Sequence, residues 1–181
     1  MQYAALFRGL NVGGKHIVKM QELRALLENL GLQDVKTYIQ SGNAVFASER
    51  DENALPDLIS AAFFAHLGFT CGLCIRTAGE LRRITAHPPF SPEEIASAQA
   101  AEPGAEHFYV FFLDGPPEPA KLEAARDCAK EDIVRSGERE IFLLCRRSIR
   151  KSPAAACLAK AFPGASVRNW KTVSKIAGLF D

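Results

Sequence analysis

The order of apolar runs constrains this chain most, because strand, helix, strand, strand, helix, strand is spelled out twice. In the first pass, Tyr3–Arg8 is an apolar strand. Met20, Leu23, Leu26, Leu27 and Leu30 then recur at helical spacing, and Gly31 supplies a stop. Val35–Gln40 and Ala44–Ser48 are two β-type runs around Ser41-Gly42-Asn43, a hairpin signal. Leu55, Leu58, Ile59, Ala62 and Phe63 form a second amphipathic helix, and Thr70–Arg76 reads as a fourth strand.

A connector follows. Thr77 caps a short helix carrying Leu81 and Ile84, which His87-Pro88-Pro89-Phe90-Ser91-Pro92 breaks. Glu93–Ala101 is a further turn or two of helix, ended by Pro103-Gly104. The second pass starts with Glu106–Leu113, apolar on both faces and therefore expected in the middle of a sheet. Pro119–Lys130 reads as a helix with Leu122, Ala125 and Ala129 inward. Ile133–Ser136 and Glu140–Cys145 make a hairpin, Pro153–Phe162 a helix, and Ala165–Arg168 the eighth strand. A last helix carries Val173, Ile176 and Phe180.

The pattern implies an α+β protein of two ferredoxin-like (βαββαβ) halves, a duplicated split βαβ plan with a C-terminal helix. Residues 1–88 are the first half, 89–104 a connector, and 105–181 the second half. The duplication lies in element order, not residue identity. Each half leaves one sheet face needing cover, met either by packing the halves together or by continuing their sheets edge to edge.

Nothing in the chain approaches the roughly 18 consecutive apolar residues of a membrane span. Arg8 and the glycines after it interrupt the first apolar run, so no secretory signal is read there and the expected location is cytoplasmic. The five cysteines, Cys71, Cys74, Cys128, Cys145 and Cys157, are accordingly expected to be reduced. Cys71-x-x-Cys74 lies in a strand, where positions three apart point to opposite faces, so it is not read as a metal or redox pair. No metal site and no cofactor are predicted.

Charge is uneven. Residues 1–50 carry six basic and four acidic side chains, for +2. Residues 51–139 carry eight and fifteen, for −7, and residues 140–181 carry eight and two, for +6. The basic end suits an anionic partner, while the acidic middle argues against a general nucleic-acid coat.

Three segments carry candidate chemistry. Arg8-Gly9-Leu10-Asn11-Val12-Gly13-Gly14-Lys15-His16 has phosphate-loop spacing up to its last position. That position is His16, where a hydroxyl would hold magnesium. The helical pattern also starts too late, and no Walker-B aspartate follows. Nucleotide hydrolysis is therefore not expected, although backbone and Lys15 can still hold an anion. Gln40, Ser41 and Asn43 cluster amide and hydroxyl groups at a tight turn. Arg168-Asn169-Trp170-Lys171-Thr172 joins a planar cation to the only tryptophan, although Asn169 or Thr172 also fits a helix cap and Trp170 a core anchor. The run Arg146-Arg147-Ser148-Ile149-Arg150-Lys151 is read as a solvated face. No nucleophile–base pair is visible, so no catalytic residue is assigned.

Tyr3–Lys15, Lys19-Met20-x-Glu22-Leu23, Tyr38–Asn43 and Arg168-Asn169-Trp170-x-Thr172-Val173 resemble the bacterial family called domain of unknown function 1697. The resemblance implies an α+β fold of two ferredoxin-like halves and no established activity. Arg146–Lys151 departs from the glycine-containing segment of that family.

The leading functional reading is a protein binding a small anionic or nucleotide-like ligand at a composite site. Its residues would be Arg8, Asn11, Gly13, Gly14, Lys15, Gln40, Ser41, Asn43, Arg168, Asn169, Trp170 and Thr172. The alternatives are nucleic-acid binding through the basic C-terminal region, not favoured because no RNP-like pattern is present, and an assembly module without ligand. No oligomeric state follows from the sequence.

Overall fold

β1 (Gln2–Arg8) runs through the middle of a four-stranded sheet, which explains its unbroken apolar run: Tyr3 through Phe7 are all buried. The structure, a computed structural model, describes residues 1–11, 17–40 and 42–180. After β1 come α1 (Met20–Asn29), β2 (Gln33–Thr37), β3 (Asn43–Ala47), α2 (Leu55–Leu67) and β4 (Gly72–Thr77). The sheet order is β2-β3-β1-β4 with every neighbouring pair antiparallel. Alternation along β1 sends Tyr3, Ala5 and Phe7 into a core with Leu23 and Leu27 of α1 and Ile59 and Phe63 of α2. Burying each such side chain is worth roughly 1.5–3 kcal/mol.

α3 (Ala78–Ala86) and α4 (Pro92–Ala101) follow, each opened by a capping box. Thr77 and Glu80 exchange bonds at the first, and Ser91 and Glu94 at the second. The chain continues as β5 (Phe108–Phe112), α5 (Pro119–Asp127), β6 (Ile133–Ser136), β7 (Glu140–Leu144), α6 (Pro153–Ala161), β8 (Ser166–Asn169) and α7 (Trp170–Ala177). The second sheet is ordered β6-β7-β5-β8, again antiparallel throughout. Its core joins Phe111, Ile141 and Leu143 to Leu122 and Ala125 of α5 and Leu158 of α6.

The protein is thus a mixed α+β structure with two four-stranded antiparallel sheets. It divides into two units, residues 1–86 with 174–181, and residues 87–173. The C-terminal stretch is tied to the first unit by Lys36, whose Nζ donates to the Leu179 carbonyl at 2.9 Å. Among the described residues no helix is long and apolar enough to cross a membrane.

The two sheets match in register as well as in order. Ala4 opposes Arg76 and Val110 opposes Arg168, the third residue of β1 and of β5 respectively. Leu6 opposes Asn43 and Phe112 opposes Glu140, the fifth residues. Tyr3 opposes Thr77 and Tyr109 opposes Asn169, the second residues. Both sheets therefore bury an arginine on the last strand and a polar residue opening the third.

Two sequence expectations are corrected. β2 ends at Thr37 rather than Gln40, because Ile39 takes φ +50° and leaves the extended region. The cysteines are not all reduced. Cys128, at the end of α5, is bonded to Cys157 of α6, with Cα atoms 6.6 Å apart. Those positions are 29 residues apart and meet only because α5 and α6 lie side by side. Cys71, Cys74 and Cys145 are free.

Candidate functional site

Two of the three candidate segments meet in the first unit, and Asn11 joins them. It occupies φ +57°, a left-handed conformation that asparagine tolerates better than most residues. Its Oδ1 accepts the Val18 N–H at 2.7 Å, and its Nδ2 donates to the Val18 carbonyl at 3.0 Å. The same Nδ2 donates to the Gln40 carbonyl at 2.7 Å. One side chain thus closes the loop after β1 and ties it to the turn before β3.

That turn is held from both sides. The Gly42 carbonyl accepts the Phe7 N–H at 2.9 Å, and Tyr38 and Asn43 are paired through backbone and side chain. Asn43 is 1% exposed, so its amide supports the turn. Gln40 is exposed, as is Arg8. The Arg8 side chain lies over Gly72 of β4, where a Cβ would fall 2.6 Å from its Nε. Burial pushes the neighbouring Cys71 thiol up to about 11, against the pull of Arg8, so it is no thiolate near neutral pH. Gly13, Gly14, Lys15 and Ser41 lie outside the described residues. α1 begins at Met20, four residues beyond the place a phosphate-loop helix would take.

The third segment belongs to the second unit, where each residue has a local structural partner. Arg168 is 8% exposed and donates to the Val167 carbonyl at 2.8 Å. Asn169 caps α7: its Oδ1 accepts the Thr172 N–H at 2.9 Å. Trp170 stacks on Phe108 with ring centroids 4.2 Å apart and planes 6° from parallel. Lys171 pairs with Glu106 at 2.6 Å. This segment has a counterpart in the first unit, where buried Arg76 precedes the cap Thr77 and α3. Asn169→Ala is expected to cost about 1 kcal/mol in chemical denaturation. Were Asn169 a ligand contact instead, stability would hold and only affinity would fall.

The basic run read from the sequence as a solvated face gains a partner in the fold. Lys130, Arg146, Arg147 and Lys151 line one cavity of the second unit. The run at 146–151 was visible as charge, but nothing local connects it to Lys130. Cys145, buried beside Ser152 and Asp132, has its thiol pushed up to about 12, chiefly by burial. Among the described residues no group of three or more histidine, cysteine or acidic side chains is arranged to hold a metal.

A model of the family described as protein of unknown function (DUF1697) matches residues 1–142, which include the loop and the turn and stop short of Arg168. Among solved structures, the chain is similar to the conserved bacterial protein SP0830 from Streptococcus pneumoniae. The two are 27% identical with a TM-score of 0.76, over 99% of this chain and 98% of that one. No curated protein matches.

Proposed function

Because the chain belongs to the family described as protein of unknown function (DUF1697), we propose a function from its own residues: it binds a small anionic or nucleotide-like ligand at the loop after β1 and the Ser41-Gly42-Asn43 turn. The observation that carries this reading is the backbone of the two turns. Gly9, Asn11, Ile39 and Gly42 all take left-handed φ, between +50° and +78°. Ile39 is the telling member, since a β-branched residue there costs roughly 1–3 kcal/mol. At 45% exposed it recovers little of that by burial. Strain of this kind gathers at ligand sites, and consecutive turns present N–H groups suited to anions. Arg8 supplies a cation at the end of β1, and Lys15 a second within the loop sequence.

On the same footing we read each sheet with its paired helices as a ferredoxin-like half. The common strand order and the matched register of Arg76 with Arg168 support that reading.

A thermal-shift panel of phosphate-bearing metabolites tests the binding site. A ligand at about 100 times its Kd adds about 2.7 kcal/mol, which raises Tm by roughly 5–10 °C for a chain of this size. The Lys15→Ala variant is expected to respond far less. A panel that moves neither protein, or both equally, overturns the assignment.

A further inference from the structure

The basic run Arg146–Lys151 borders a cavity of about 350 Å3 in the second unit. One wall is the turn 129–132 after α5, and the other is the segment 146–153 leading into α6. Lys130, Arg146, Arg147 and Lys151 line it together with Glu131 and Asp132. Asp132 locks the walls to each other. Its carboxylate accepts the Arg146 N–H at 2.8 Å and the Ser152 hydroxyl at 2.6 Å, and its own N–H donates to the Ala129 carbonyl at 2.7 Å. The Cys128–Cys157 disulfide joins the helices on either side.

The cations are only partly neutralised. Lys151 pairs with Glu102 at 2.9 Å. The Arg146 guanidinium is held by Ser97, through the carbonyl at 2.8 Å and the hydroxyl at 2.7 Å, so no carboxylate quenches it there. Lys130 and Arg147 form no ion pair within 4 Å among the described residues, although the charge of Arg147 reaches the Glu102 carboxylate and helps to hold its pKa down. Lys130 is also fixed at φ +51°, a conformation glycine would adopt at lower cost.

We propose that this cavity binds the phosphate group of a small molecule. The Arg147 guanidinium offers a planar fork matched to phosphate oxygens, and Arg146 and the lysines add charge around it. The acidic groups limit the size of the anion. Glu131 and Asp132 sit in the cavity itself. Glu93 and Glu94 line an adjoining one of about 340 Å3 that shares Glu131 and Arg146. An extended phosphodiester chain would have to pass these carboxylates, whereas a single phosphate group need not.

Isothermal titration of the full chain at low ionic strength, with glycerol 3-phosphate and separately with inorganic phosphate, tests the site. Both probes are expected to bind. Tighter binding of the ester marks a phosphorylated metabolite as the source, and equal binding marks free phosphate. Lys130→Gly is expected to weaken binding about tenfold or more while raising Tm by roughly 2–4 °C, because glycine relaxes the left-handed backbone. Opposite movements of affinity and stability cannot come from misfolding. Arg147→Gln is expected to lose affinity at unchanged Tm, and Arg24→Gln, which loses only an exposed pair with Glu28 on α1, to leave affinity unchanged. Absence of heat from both probes overturns the proposal. So does a titration abolished by Lys15→Ala but not by Arg147→Gln, or a single-stranded RNA that binds more tightly than the ester through the same residues.

Discussion

Replacing Cys157 by serine lowers the unfolding free energy by roughly 3.5 kcal/mol, the loop-closure value for cysteines 29 residues apart. The bond joins the end of α5 to α6, two helices that contribute Leu122, Ala125 and Leu158 to the same core. Cutting it returns to the unfolded chain the freedom of the whole segment containing β6, β7 and the basic cavity. Denaturant titration with and without reductant reads the effect directly. The oxidised wild type should lose stability on reduction, and the Cys157→Ser variant should be indifferent to reductant. Under denaturing conditions the oxidised protein should show three free thiols, Cys71, Cys74 and Cys145, and the reduced protein all five. Five thiols before reduction, or equal stability in both states, would contradict the bond.

The element order was legible from the sequence because helical and strand periodicities reflect which face is buried. Leu23, Leu26 and Leu27 mark the inner face of α1 and are all buried. Glu106–Leu113 reads as central from its apolar character on both faces, and the strand within it, β5, lies between β7 and β8. What periodicity cannot carry is any feature created by distant residues. Cys128 and Cys157 have no local signal that separates them from the three free thiols. Lys130 looks like one more surface lysine at a helix end until Arg146 and Arg147 are brought opposite it. The end of β2 departs from its sequence expectation for a related reason. Ile39 favours a strand by residue type, and its left-handed φ follows from the demands of the turn.

The candidate site was legible in part. The glycine spacing after β1 and the Ser-Gly-Asn turn were singled out separately, and the bond from Asn11 to Gln40 joins them. The Arg168–Thr172 segment drew attention because an arginine beside a tryptophan resembles a stacking platform. The partner of Trp170 is Phe108, and Asn169 is spent on the α7 N-terminus. A sequence shows which side chains are capable of stacking or capping, and only the fold shows which are already occupied.

Gly42 and Gly9 offer a matched pair in which backbone and packing separate. Both take nearly the same left-handed φ, +78° and +75°. A Cβ at Gly9 meets nothing within 4 Å. A Cβ at Gly42 falls 2.9 Å from Phe7 Cβ, 2.9 Å from Leu10 Cδ2 and 3.2 Å from Leu10 Cβ. Phe7 and Leu10 are fully buried and cannot retreat, because Phe7 is stacked on Phe63 with ring centroids 5.0 Å apart. Gly9→Ala should therefore cost only the conformational penalty, roughly 1–2 kcal/mol. Gly42→Ala should add an overpacking term and reach roughly 2–4 kcal/mol. Equilibrium denaturation of the two variants measures the difference, and equal losses would mean that the turn is not pressed against Leu10. The same comparison bears on function. If the turn and the loop form one anion site, Gly42→Ala displaces the turn from Leu10 and should weaken ligand response beyond its cost in stability, whereas Gly9→Ala leaves the two segments in register.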